Sequence, residues 1–290
     1  MNNFKYKYKK YKYKYKYHNY KFFLQNGGGI YPIKSFPSTY NKIIYVKKAK
    51  KPGEPDIMIF GNDVDAYQSM YDINDVDKIY LDYLYPMITF IQYVNLNNLL
   101  MIGLGGGHIS MLIRKNFPSC QIDIIELDEM VLMAAKEMGF ISDSKMNIFV
   151  GDGKIYCDNM MNKNYDCIFI DIPDYLNLNI KNIKENMNTN GILVINDFTC
   201  RNINTYNRSI INKCEYIDNF TNKLSKYFKC IILYNTAVGN FVWLCSKSND
   251  NTIFNKPLNK DTISPNMKKM KYIDNILKKI NSMPFEIITN

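Results

Sequence analysis

The sequence predicts an α/β protein: an open, mostly parallel sheet flanked by helices, following a smaller β-rich N-terminal part. Three observations predict it. Residues 98–126, NLLMIGLGGGHISMLIRKNFPSCQIDIIE, read strand, glycine-rich turn, helix, strand, with an acid closing the second strand. Five more short apolar runs follow, the first three spaced to leave room for helices between them. Four of the run ends carry or are followed by a polar residue: Glu126, Asp152, Asp171 and Asn196.

Taken in order, Ile43–Val46 and Ile57–Phe60 are short β runs separated by the turn-prone Lys51-Pro52-Gly53. Leu99–Ile102 is an apolar run of the kind buried in a parallel sheet. Gly103, Gly105, Gly106 and Gly107 let the backbone turn tightly and approach a ligand closely. His108–Lys115 continues as a helix whose free N–H groups face that ligand. Ile122–Ile125 is the next strand, and Glu126 ends it 23 residues after Gly103. Nucleotide-binding βαβ units place a carboxylate there for ribose hydroxyls. Met146–Val150, Tyr165–Ile170 and Gly191–Ile195 are the third to fifth strands, and Cys230–Tyr234 and Asn240–Cys245 are two last strands joined by a loop.

A nucleoside-type cofactor follows from this arrangement. A dinucleotide fingerprint would run G-x-G-x-x-G, and His108 fails its third glycine. Asp152 in Gly151-Asp152-Gly153 can accept from an adenine amino group, with Gly153 leaving room for the ring. Taken singly, each acid reads equally as a helix cap or a solvated loop residue. Their shared place at strand ends favours one crevice.

The stretches GLGGG at 103–107, FPSCQIDIIELDEMVLMAAKEMGF at 117–140, GDG at 151–153, YDCIFID at 165–171 and NGILVIN at 190–196 resemble the spermidine synthase-like branch of S-adenosylmethionine methyltransferases. The likeness runs over about residues 38–247. It implies a Rossmann-like seven-stranded methyltransferase sheet with a small N-terminal β-subdomain, and S-adenosyl-L-methionine as cofactor. The residues expected to bind it are Gln68, Gly103, Gly105, Gly107, Glu126, Leu127, Asp152, Gly153 and Asp171. Residues 60–84 resemble the segment of spermidine synthases that leads into the first helix; Gln68 matches a cofactor-contacting Gln and Tyr80 a tyrosine there.

The departures from spermidine synthase are informative. That family reads G-G-G-D-G-G, and its Asp holds the amino end of the aminopropyl chain; the matching residue is Gly106. Its Tyr-His-Glu is here Tyr80-Leu81-Asp82. A polycationic substrate that loses polar partners is costly to bury, which disfavours aminopropyl transfer. Asp171 and Asp174 nevertheless keep the i, i+3 spacing of the family's D-S-S-D acids. Polyamine synthesis is therefore the alternative activity, and a catalytically silent scaffold of the same fold a further one.

Composition bounds the rest. The net charge of +10 is uneven: residues 1–53 hold 14 Lys and no acid, leaving 23 basic against 27 acidic residues beyond them. Four parts are expected: a low-complexity Lys/Tyr tail (1–21), a small β-subdomain (22–75), the cofactor-binding α/β domain (76–248) and a C-terminal extension (249–290). The tail, with KYKYKKYKYKYKY at 5–17, offers a weak RNA contact through phosphates and stacking, but biased composition and disorder account for it more simply. The seven cysteines show no zinc spacing, and neither they nor the two histidines suggest a metal site. His108 reads as a contact to the methionine end of the cofactor or as a solvated first-turn residue. No apolar run approaches the roughly 20 residues of a membrane span. The odd cysteine count with no apparent secretory signal suggests a reducing compartment, so a cytoplasmic location is expected, with organellar targeting by the basic N-terminus left open. Asn266–Ser282 is expected to form one amphipathic helix, with Met270, Ile273, Ile276, Leu277 and Ile280 on one face.

The reaction expected is in-line displacement at a sulfonium methyl, with positioning worth about 7–11 kcal/mol in favourable cases. At pH 7 a lysine amine costs about 4.6 kcal/mol to deprotonate, and an α-amine about 1. An N-terminal acceptor therefore needs only a modest base. Asp171 is the first choice for base or orienting group, followed by Asp174 and Asn196. The resemblance implies a protein substrate such as a translation factor; a homodimer is also open.

Overall fold

The computed structural model describes residues 29–50, 56–61, 67–173, 175–197, 215–236, 240–248, 250, 254 and 258–289. The Lys/Tyr tail with His18, Asp174, Cys200 and Cys214 lie outside the described residues. The described elements are, in chain order, β1 (Gly29–Ser38), β2 (Lys42–Lys50), β3 (Ile57–Gly61), β4 (Ser69–Asp72), α1 (Leu84–Met87), β5 (Asn98–Ile102), α2 (His108–Asn116), β6 (Gln121–Glu126), α3 (Glu129–Glu137), β7 (Met146–Val150), α4 (Gly153–Asn159), β8 (Tyr165–Ile170), α5 (Ile180–Glu185), β9 (Met187–Asp197), α6 (Glu215–Ser225), β10 (Cys230–Asn235), β11 (Phe241–Ser246), α7 (Pro265–Lys268), α8 (Ile273–Asn281) and β12 (Phe285–Thr289). They fall into two compact units.

The first unit takes the described residues up to Leu81 together with Leu104–Leu112 and Asp128–Ser142. Its sheet has the order β1-β2-β3-β4, every pair antiparallel. β1 lies within the expected β-subdomain; its Pro32 and Pro37 are tolerated because it is on the sheet edge, with a register shift between Pro32 and Lys34. α3 packs on β1 and β2. Val131, Ala134 and Met138 meet Phe36, Ile44, Val46, Met58, Phe60 and Tyr71 in one core. Asp128 caps α3 through Met130 N and accepts from Ser38 and Asn41, pinning the β1–β2 turn to the helix start.

The second unit takes Asp82–Gly103, Ile113–Leu127 and the described residues from Asp143 onward. Its sheet has the order β12-β10-β11-β9-β8-β5-β6-β7. β7-β6-β5-β8-β9 are parallel, and β11, β10 and β12 follow antiparallel. The seven expected strands are present and β12 adds an eighth at the edge. The central strands NLLMI and YDCIFI are almost wholly buried, which explains their unbroken apolar runs. One face packs Leu100, Ile102, Ile168, Ile170, Leu193, Ile195, Phe241 and Trp243 against α6 residues Ile217, Phe220 and Leu224. Trp243 Nε1 donates to Thr221 Oγ1 at 2.9 Å, so the buried indole has its partner.

The single amphipathic helix expected over 266–282 is two. α7 is anchored by Ser264 N to Gln92 Oε1 (2.6 Å) and Asn266 Nδ2 to Val94 O (3.2 Å). α8 is anchored separately by Lys279 to Asp82 (3.0 Å) and Asn281 Nδ2 to Leu258 O (3.0 Å). The break at Lys269–Tyr272 lets both sets form while Met270, Ile276, Leu277 and Ile280 stay buried. The described cysteines 120, 157, 167, 230 and 245 are all buried and free, and burial pushes the Cys120 and Cys157 thiols up to about 12. No helix among the described residues is long and apolar enough to cross a membrane.

Candidate active site

The strand order reverses at the β5–β8 pair: the chain runs outward from β5 through β6 to β7 and returns to β8 and β9 on the other side. Ligands of open α/β sheets bind outside the carboxyl ends of strands at such a point. Three backbone bonds tie those ends together: Asp171 N to Ile102 O (2.9 Å), Gly103 N to Ile125 O (2.8 Å) and Gly151 N to Glu126 O (2.9 Å). Gly103 has φ +98°, and a Cβ there would lie 2.6 Å from the Asp171 carbonyl oxygen. Only glycine lets β5 turn away while staying this close to β8.

Glu126 closes β6, is 7% exposed, and stands beside Leu127, a leucine 41% exposed. A buried acid next to an open apolar surface suits a ribose held at its hydroxyls and a purine laid on carbon. Asp152 caps α4, its Oδ1 accepting from Lys154 N (2.7 Å) and Ile155 N (3.4 Å), which leaves Oδ2 for a ligand donor. Gly153 has a packing reason of its own. A Cβ there would meet Ile102 Cγ2 at 2.4 Å, so the glycine also lets α4 close onto β5.

Asp171 follows β8 and accepts from Asn196 Nδ2 at 2.8 Å. Asn196 Oδ1 in turn accepts from Asn240 Nδ2 at 3.0 Å. Burial raises the Asp171 pKa, and the Asn196 bond works against it. A carboxylate moved upward is a better base for an amine proton than a solvated one. The sequence marks Asn240 only as the start of a strand. β11 pairs Val242 with Asn196, and strand alternation puts Asn240 on the same face, a placement the sequence alone does not give. On the opposite face Tyr175 is hydrogen-bonded to Asp197 and to Tyr216, whose hydroxyl lies 3.0 Å away, which ties down the chain just after the β8 end. Asp174 lies outside the described residues.

The remainder of the glycine turn belongs to the first unit. Gly105 and Gly107 have φ of +55° and +80°, and a Cβ on Gly107 would meet Phe140 at 2.6 Å. Gly106 N donates to Ser69 Oγ at 2.9 Å, and a Cβ on Gly106 would lie 2.6 Å from Ser69 Cβ. Tyr71 Oη lies 3.1 Å from Gly106 O and 3.2 Å from Met138 O and shares its proton between them. Gln68, half-buried, donates its backbone N–H to Phe60 O at 2.8 Å and directly precedes Ser69.

His108 is not a solvated first-turn residue. It is 4% exposed, lies face to face with Tyr71 at 5.1 Å between ring centroids, and places Nε2 2.7 Å from Val76 O. A carbonyl only accepts, so Nε2 carries the proton. Burial is the main cause that pulls its pKa down to about 4, so it is neutral at pH 7. Among the described residues no cluster of three His, Cys, Asp or Glu side chains could hold a metal ion.

Known proteins with similar sequences include methyltransferases and aminopropyltransferases. The eEF1A lysine and N-terminal methyltransferase of Xenopus laevis is 27% identical over 122 residues, covering 36% of this chain and 18% of that protein. The polyamine aminopropyltransferase of Vibrio vulnificus (strain CMCP6) is 28% identical over 112 residues, covering 35% and 38%. The chain thus matches under two-fifths of the length of either relative. Among solved structures, a probable spermidine synthase from Corynebacterium glutamicum ATCC 13032 superposes with a TM-score of 0.62 at 12% identity, over 88% of this chain and 90% of that one. Human methyltransferase-like protein 13 in complex with SAH gives 0.51 at 17% identity, over 69% and 93%. At these identities the superpositions establish the shared fold. Residues 78–256, more than half of the chain, match the spermine/spermidine synthase domain, and the chain belongs to that family.

Proposed function

We propose that the chain is an S-adenosylmethionine-dependent methyltransferase acting on a protein amine, an N-terminus or a lysine. The observation that carries this within its family is the environment of Gly106. The family's aminopropyl-binding acid has no counterpart there, and Ser69 already fills the space a side chain would need. Leu81, at the position of the family's polyamine-holding His, is fully buried, and Asp82 beside it pairs with Lys279 at 3.0 Å. Both replacements remove partners a polycation requires.

S-adenosylmethionine, when bound, supplies an electrophilic methyl on a sulfonium. Glu126 would hold the ribose hydroxyls, Leu127 would cover the base, and Asp152 Oδ2 would accept from its amino group. Gln68, Gly103, Gly105, Gly107 and Gly153 complete the proposed binding set. Asp171, braced by Asn196, would receive the acceptor proton. The i, i+3 pairing of Asp171 with Asp174 favours aminopropyl transfer as the second reading. A translation factor as substrate is suggested by the names of the methyltransferase relatives. The test is incubation of the full chain with methyl-labelled S-adenosylmethionine and a cell extract, followed by mass spectrometry. Label on a protein amine is expected. Label absent from protein, with aminopropylated amines formed from the decarboxylated cofactor, would overturn the proposal.

A further inference from the structure

We propose that Asn240 is a positioning residue of the acceptor site, fixing through Asn196 the edge of the amide that the Asp171 carboxylate meets. The inference rests on the reading of Asp171 as the group that receives the acceptor proton.

An ionised carboxylate only accepts hydrogen bonds, so Asn196 must present Nδ2 to it, as it does at 2.8 Å. A primary amide is nearly symmetric in shape, and turning it by half a revolution would set Oδ1 against the carboxylate instead. Packing does not prevent that turn, because both edges of an amide have similar volume. The device that prevents it is Asn240, whose Nδ2 donates to Asn196 Oδ1 at 3.0 Å. The turned amide would face oxygen to carboxylate on one side and N–H to N–H on the other. Both asparagines are buried, at 2% and 8% exposure, so water cannot repair the mismatch.

Asn240 is itself held by backbone. Its N–H donates to Thr236 Oγ1 at 3.1 Å, and Thr236 N–H donates to Asn240 O at 2.9 Å. Pairing of Val242 with Asn196 then sets it on the Asn196 face of the sheet, while Ile195 points into the core on the other. The two side-chain bonds run in one direction, from Asn240 to Asn196 and from Asn196 to Asp171, beside an Asn240 backbone held by Thr236. Burial and the Asn196 bond are the two influences on the Asp171 carboxyl; no charged side chain among the described residues is a further one.

The experiment follows the Asp171 carboxyl carbon by NMR titration in the full-length protein with labelled aspartate, for wild type, Asn240→Asp, Asn240→Leu and Asn196→Leu. Asn240→Asp replaces the donor by an acceptor and adds a negative charge, and both raise the Asp171 pKa, by about one unit or more together, so Asn240→Leu is the variant that isolates the amide. Asn240→Leu frees the amide to turn and should raise the pKa less. An Asp171 pKa unchanged in Asn240→Leu, while Asn196→Leu raises it, would overturn the proposal. If Asn240→Asp fails to fold, Asn240→Leu decides alone. The readout needs no substrate. A pKa that moves in a protein that transfers no methyl group supports the positioning role and counts against the proposed activity; methyl transfer with an unmoved pKa does the reverse.

Discussion

Protonation of His108 should unfold the part of the protein that carries the glycine turn. The ring is buried, stacked on Tyr71, and donates from Nε2 to the Val76 carbonyl. Its pKa lies at about 4 in the folded chain, against an ordinary 6.5. The unfolded state therefore binds the proton more readily, and stability rises with pH across this window. The contribution is complete above about pH 6.5 and is lost as pH falls toward 4; the full span corresponds to about 3 kcal/mol. The assay is urea unfolding of wild type and His108→Gln at pH 7.5, 6.5, 5.5 and 4.5. Carboxylates also titrate at the acid end, so the informative quantity is the difference between the two proteins. Wild type should lose ground to the variant by about 1.4 kcal/mol per pH unit below 6.5. A difference that stays flat from pH 7.5 to 4.5 would refute the reasoning, because the ring would then be protonated as easily folded as unfolded.

Other predictions concern the proposed site. Glu126→Ala should keep its fold and weaken S-adenosylmethionine binding by about 1.5–3 kcal/mol, roughly 10- to 150-fold, by calorimetry; normal affinity would show that Glu126 does not hold the ribose. Gly103→Ala should cost about 2–4 kcal/mol in denaturant unfolding, from a left-handed φ combined with a Cβ 2.6 Å from the Asp171 carbonyl. Gly106→Asp, which restores the family's acid, should destabilise by about 1–3 kcal/mol and confer no aminopropyl transfer, because Ser69 occupies that space; stable protein with polyamine product would contradict this. Deleting residues 1–21 should leave cofactor affinity unchanged, any effect being confined to anionic partners and weakening with salt.

Where the chain repeats a period or ends a strand on a charge, the sequence was readable. Met146–Val150 and Tyr165–Ile170 form strands with the bounds expected of them, because their apolar runs are flanked by turn residues on both sides. Elements decided by distant partners were not readable. β1 contains two prolines and is a strand only because it lies at an edge paired with β2. β12 is five residues whose partner, β10, lies some fifty positions earlier. The expected C-terminal helix breaks because each half is tied to a different neighbour. The same limit applies to the site. Asp171 and Asn196 stand at strand ends and could be picked out, whereas Asn240 acquires meaning only through the β9–β11 register. His108 sits beside the turn as expected, but the Tyr71 ring and the Val76 carbonyl, more than thirty positions upstream, bury it.

The most direct test of the account is calorimetric comparison of S-adenosylmethionine with its decarboxylated form on the full-length protein. A glycine at position 106, closed off by Ser69, removes the acid that would repel the methionine carboxylate and hold the aminopropyl amine. Tighter binding of S-adenosylmethionine and of its demethylated product is expected. Clear preference for the decarboxylated cofactor would contradict it and return the chain to polyamine synthesis.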